Sequence, residues 1–145
     1  MRSAADAQRD GGRFRDFASF LRDLIKELND LSTEGAAVLV EGKRDATALS
    51  LLGYTGPIFT IAILTSSPSS REKLRRTVKE MVIMTDLDGE GRRLASRYLR
   101  FLSQEGVAAS LDQRRRLAKA SRGVFHHIEN LRRFALEVQH LPQAG

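Results

Sequence analysis

Two kinds of apolar pattern alternate along this chain. From Asp16 to Leu31 the apolar residues Phe17, Phe20, Leu21, Leu24, Ile25, Leu28 and Leu31 recur at helical spacing, which predicts one amphipathic helix over 16–31. Ser32-Thr33-Glu34-Gly35 ends it. The pattern then changes to short continuous runs: Ala36–Val40, Ile58–Leu64, Met81–Thr85 and Val107–Leu111. Runs of this length read as strands buried on both faces. Between them lie segments with helical signals. A helix from Arg44 to Leu52 stops at Gly53, and Gly56-Pro57 marks a turn. Ser69-Ser70-Arg71-Glu72 has the form of a capping box opening a basic helix to Lys79. Glu90 to Gln104 carries Leu94, Tyr98, Leu99 and Leu102 on one side and closes at Gly106. Residues 113–140 predict basic helices broken near Gly123.

Strands alternating with helices predict an α/β fold, a four-stranded, mainly parallel sheet with helices on both faces. The helix over 16–31 and the basic helices over 113–140 are additions to a core of about 36–112. Polar residues 1–12, closed by Gly11-Gly12, are expected to be a mobile leader to a single domain over 13–145.

In such a sheet all strand ends of one kind share an edge. Two runs end in acids followed by glycine: Ala36–Val40 in Glu41-Gly42, and Met81–Thr85 in Asp86-Leu87-Asp88-Gly89. Asp86 and Asp88, two residues apart on extended chain, project to one side. Hard oxygen donors at the carboxyl edge of a parallel sheet suit Mg²⁺. If the first and third strands are neighbours, Glu41 joins them.

Composition narrows the chemistry. The chain of 145 residues is 41% hydrophobic and 29% charged, the balance of a globular protein. It has no cysteine, which excludes disulfides, thiolate metal sites and cysteine nucleophiles and fits a reducing interior. The longest apolar run, Pro57–Leu64, is far shorter than the ~20 residues of a membrane-spanning helix, and the N-terminus lacks an apolar signal core, so a cytoplasmic protein without a membrane partner is expected. The net charge of +6, with arginine well ahead of lysine, points to a polyanion such as RNA or DNA as partner.

Val40-Glu41-Gly42-Lys43-Arg44-Asp45 followed by Thr85-Asp86-Leu87-Asp88-Gly89-Glu90-Gly91 resembles the Toprim domain, shared by topoisomerases, bacterial-type primases, OLD-type nucleases and a ribosomal-RNA-maturing nuclease. The opening Glu-Gly-Lys-x-Asp string and the chain length look most like the small stand-alone Toprim proteins. The resemblance implies that Asp86, Asp88 and Glu41 hold Mg²⁺, with Mn²⁺ as a substitute, and that Glu41 is the catalytic acid or base. Gly42 and Gly89 would let backbone approach a phosphate, with Lys43, Arg92 and Arg93 pairing with the nucleic acid. Several relatives carry Gly-Glu where this chain has Gly91-Arg92, so Glu90 is an additional acid in charge but not in position.

The activity implied is Mg²⁺-dependent phosphodiester cleavage, a nuclease acting on structured RNA or DNA. The alternative is a non-catalytic nucleic-acid-binding or adaptor module that keeps the metal site. A homodimer or a protein partner is an expectation attached to the missing substrate-gripping domains of larger relatives.

Other features are open to plainer readings. Asp112, at the end of the fourth run, either joins the acids or caps the next helix. Arg114-Arg115-Arg116 with Lys119 and Arg122 is either a nucleic-acid footprint or a solvated face, as is the set Arg71, Lys73, Arg75, Arg76 and Lys79. His126-His127 lacks a ligand partner at metal spacing and reads as surface or packing. Ile83–Gly89 also resembles the nucleophile loop of haloacid-dehalogenase phosphatases, but Glu90 and the missing downstream acidic pair speak against that family. No G-x-G-x-x-G follows the first strand, which argues against dinucleotide binding.

Overall fold

The structure is a computed structural model that describes residues 4–140, with side chains from residue 12 onward. The elements are α1 (Ala4–Thr33), β1 (Ala36–Val40), α2 (Lys43–Leu51), β2 (Ile58–Thr60), α3 (Ile61–Leu64), α4 (Pro68–Thr77), β3 (Glu80–Ile83), α5 (Gly89–Gln104), β4 (Ala108–Ser110), α6 (Asp112–Ser121), a 3-10 helix (Ile128–Phe134) and α7 (Ala135–His140).

The four strands form one all-parallel sheet in the order β2-β1-β3-β4. β1 and β3 are therefore neighbours, with Val38 opposite Val82 and Leu39 opposite Ile83. Alternation along each strand divides the core in two. Val38, Val40, Val82 and Met84 pack with α1, α2, α6, the 3-10 helix and α7. Ala37, Leu39, Met81 and Ile83 pack with α3, α4 and α5. Both faces are covered, which is why these strands read as unbroken apolar runs rather than alternating ones.

Several boundaries differ from the sequence expectation, each for a local reason. The first helix begins at Ala4 rather than Asp16, so from Ala4 the expected leader continues the helix, while residues 1–3 lie outside the described residues. Ala4, Ala5, Ala7, Gln8 and Arg9 are good helix formers, and adding turns to a helix already anchored by its apolar stripe costs little, even through Gly11-Gly12 at ~1 kcal/mol each. The second run is a strand only to Thr60. The Thr60 side chain accepts a hydrogen bond from the Ile63 N–H (3.3 Å) and turns Ile61–Leu64 into a helix. The cap of α4 is Ser67, not Ser69, because Pro68 fits the first helical position. The basic tail breaks where expected: Arg122 (φ 52°) and Gly123 (φ 76°) are both left-handed.

From β1 the chain crosses through α2 to β2 on one side, then returns over the other face to β3 on β1's opposite side. The direction of winding reverses between β1 and β3. In open parallel sheets the crevice beyond the carboxyl ends at this point is the usual ligand site. Among the described residues no helix is long and apolar enough to cross a membrane.

Candidate metal centre

Glu41 follows β1 directly and Asp86 stands three residues past Ile83, the last paired residue of β3, so both emerge at the switch point. Glu41, Asp45 and Asp86 each present an oxygen, all within 4.8 Å of one another, and a second group within the same limit is Asp86, Asp88 and His127. Asp86 belongs to both. The expected trio is thus not one cluster: Glu41 and Asp88 lie in different groups that meet at Asp86. The donors are carboxylate oxygens with one imidazole nitrogen, a set that fits Mg²⁺ or Mn²⁺ by its oxygens and tolerates Mn²⁺ at the imidazole.

Local chemistry explains each position. Gly42 is the N-cap of α2, and its N–H donates to Asp45 (3.1 Å), which stands in the third helical position of a capping box. Asp88 is the N-cap of α5 and accepts from the Gly91 N–H (2.7 Å). The capping role foreseen as an alternative for Asp88 is real, and it uses one oxygen; the other faces His127 Nδ1 at 3.8 Å. Gly91 is indispensable to this loop. A Cβ there would sit 1.8 Å from the Asp86 carbonyl oxygen, and the Gly91 carbonyl accepts the Thr85 hydroxyl (2.7 Å). Gly42 and Gly89 open onto free space, with no atom within 4 Å of where a Cβ would stand, which leaves room for an anion at both helix starts.

Packing acids together shifts their protonation. Burial, the hydrogen bond to Asp86 and the Asp86 and Asp45 charges push the Glu41 carboxyl up to about 8. Burial and the Asp86 charge also raise Asp45, against a hydrogen bond from Gly42. Burial acts on Asp86 in the same sense, but hydrogen bonds from the Glu41 carboxyl, the Ile128 N–H and His127 outweigh it and hold Asp86 below its ordinary value. Glu41 therefore carries the proton and Asp86 the charge.

Three participants were not foreseen in these roles. His127, read as a surface or packing residue, places Nδ1 3.3 Å from Asp86, and the hydrogen bond to Asp86 raises its pKa. Asp45 belongs to the Val40–Asp45 string, where nothing in the sequence marks it as a neighbour of Asp86. Arg114, assigned to a basic face, is buried; it donates to the Asp86 carbonyl (2.6 Å) and to the Thr85 hydroxyl (3.1 Å). Its signal was present, since Arg114 sits three residues before the buried Leu117 on the same side of α6. Arg116 is also engaged, with Glu27 and with Asp112 (3.0 Å). Asp112 is the first residue of α6, is exposed and lies in neither carboxylate group. Glu90, Lys43, Arg92 and Arg93 are exposed at the starts of α5 and α2, and the Arg92 charge bears on Arg114.

The Toprim domain family matches residues 35–111. The chain belongs to the Toprim family. That domain brings divalent-metal binding and a connection to nucleic acids. A UPF0292 protein of Methanosarcina barkeri is 34% identical over 111 residues, 77% of each chain. Another, from Methanocaldococcus jannaschii, is 31% identical over 77% of this chain and 86% of its own length. A solved structure of a protein from Aquifex aeolicus superposes with a TM-score of 0.61 at 27% identity, covering 74% of this chain and 94% of that one. The Toprim match ends one residue before Asp112, so Arg114 and His127 lie beyond it.

Proposed function

We propose that this Toprim protein is a divalent-metal-dependent phosphodiesterase that cleaves structured RNA or DNA. The observation that carries the reading is the convergence of Glu41, Asp45 and Asp86 within 4.8 Å at the carboxyl edge between β1 and β3. Acids brought together at the expense of their own ionisation are favoured when a cation offsets them.

Asp86 is the shared ligand, with Glu41 and Asp45 on one side and Asp88 on the other. Bound Mg²⁺ or Mn²⁺ supplies Lewis-acid polarisation of a phosphate oxygen and offsets the charge that builds during hydrolysis. Glu41 is the proton-handling group, able to accept a proton from an attacking water once its own is displaced. The first N–H groups of α2 and α5, next to Gly42 and Gly89, bind phosphate oxygens, and Lys43, Arg92 and Arg93 add charge.

The test is a panel of end-labelled RNA and DNA hairpins, with and without Mg²⁺, against wild type, Glu41→Gln and Asp88→Asn. Metal-dependent cleavage lost by at least about 100-fold in both variants supports the reading. Cleavage that survives both substitutions overturns it. Hairpin binding that weakens with salt but never leads to turnover returns the non-catalytic module instead.

A further inference from the structure

A second feature lies outside the carboxylates. A cavity of about 780 Å³ opens between the N-terminal half of α1, the end of α6 and the turn that follows it. The volume is that of a site for a nucleotide-sized group, within the roughly 300–1,000 Å³ range of small-ligand pockets. Five of the chain's seven phenylalanines line it, so aromatic surface is concentrated here rather than spread through the core. Phe17 and Phe134 are buried and complete the packing under the sheet, while Phe14, Phe20 and Phe125 keep part of their surface open.

The rim is cationic. Lys119, Arg122 and Arg13 are exposed and, among the described residues, form no ion pair; Asp16 is the one acid in the lining. Arg122 also sits in a left-handed conformation (φ 52°) that glycine adopts freely and arginine does not. Backbone geometry alone would favour glycine at that position.

We propose that this cavity holds an unpaired base of a nucleic-acid strand, stacked on the open phenylalanine surface, with the flanking phosphates on Lys119, Arg122 and Arg13. The proposal rests on the nucleic-acid reading above and narrows its substrate to a duplex or hairpin carrying a single-stranded tail. Aromatic faces with a cationic border are the general means of holding unpaired bases without regard to sequence. The cavity also lies close along the chain to the carboxylate groups. Phe125 lines it, and His127, two residues on, faces Asp86. At most about 7 Å of chain separates those two positions. A tail in the cavity therefore brings the adjoining phosphate towards the carboxylates.

The experiment is fluorescence anisotropy in EDTA with one labelled hairpin, made blunt or with a short single-stranded tail. Wild type should bind the tailed form about tenfold or more tightly than the blunt one. Phe20→Ala and the double variant Lys119→Glu/Arg122→Glu should lose that preference. Arg122→Gly should weaken tail binding while melting no lower than wild type, which a folding defect would not produce. Glu41→Gln should keep the preference while losing cleavage, so the two readings fail separately: cleavage that survives Glu41→Gln and Asp88→Asn removes the catalytic role and leaves the pocket. Equal binding of tailed and blunt hairpins, or a cavity variant that binds as wild type does, overturns the proposal. So does a dimer, by sedimentation velocity, that the Lys119→Glu/Arg122→Glu substitution dissociates, because the cavity would then be a self-interface.

Discussion

Residues 35–111 and residues 112–140 contribute to one site in unlike ways. The first stretch places the carboxylates Glu41, Asp45, Asp86 and Asp88 through strand ends and helix caps. The second places the groups that hold Asp86: the Arg114 guanidinium on its carbonyl and the Ile128 N–H on its carboxylate (2.8 Å). The His126 carbonyl accepts the Leu87 N–H (2.7 Å), which ties the Asp86–Asp88 loop to the same segment. The family domain thus supplies acids, and the tail that follows it fixes their orientation. Asp86 is where the two contributions meet.

The largest effect expected is on the family-domain side. Gly91→Ala forces a Cβ into the Asp86 carbonyl and should destabilise the fold by at least about 2 kcal/mol, the upper part of the range for overpacking, seen as a lower urea midpoint. A Gly91→Ala protein with wild-type stability would mean that the loop has another accessible shape. The matching change on the tail side is Arg114→Met. It keeps the apolar stem but strips the donors from the Asp86 and Thr85 carbonyls, at a cost of about 1–3 kcal/mol. It should also weaken metal binding although Arg114 is no ligand. Unchanged metal affinity would separate the tail from the site.

A smaller effect is a pH dependence. Without metal, burial and the neighbouring acids push the Glu41 carboxyl up to about 8 from its ordinary 4.5. Between those values the native state binds more protons than the unfolded state, so the Glu41 contribution to stability falls as pH rises. A bound cation removes that penalty. The Mg²⁺-induced rise in Tm should therefore be greater at about pH 8.5 than at about pH 6, and Glu41→Gln should flatten the difference. A pH-independent rise in wild type would place the ion away from Glu41.

Sequence patterning revealed most of the domain side and little of the tail side. The first strand was bounded correctly at Ala36–Val40, and Asp86 and Asp88 were visible because their strand and their caps are local. Ile58–Leu64 misled because a strand and a capped helical turn of the same apolar residues differ only in what the Thr60 hydroxyl accepts. His127 could not be found from spacing, since its partner is 41 residues away and is reached through a 3-10 helix docked by Ile128, Leu131 and Phe134. Arg114 lies in a run of three arginines, and only its place on the same side of α6 as Leu117 distinguishes it from the other two. Asp45 was legible as a helix cap but not as a neighbour of Asp86, because that depends on how α2 leaves the sheet.

The most direct measurement is calorimetric titration of Mn²⁺ into wild type and Asp86→Asn, with the fold of each checked by circular dichroism. Saturable binding is expected in wild type, with its loss in a folded Asp86→Asn protein, since that carboxylate belongs to both groups able to hold an ion. Equal Mn²⁺ affinity in the two proteins would contradict it.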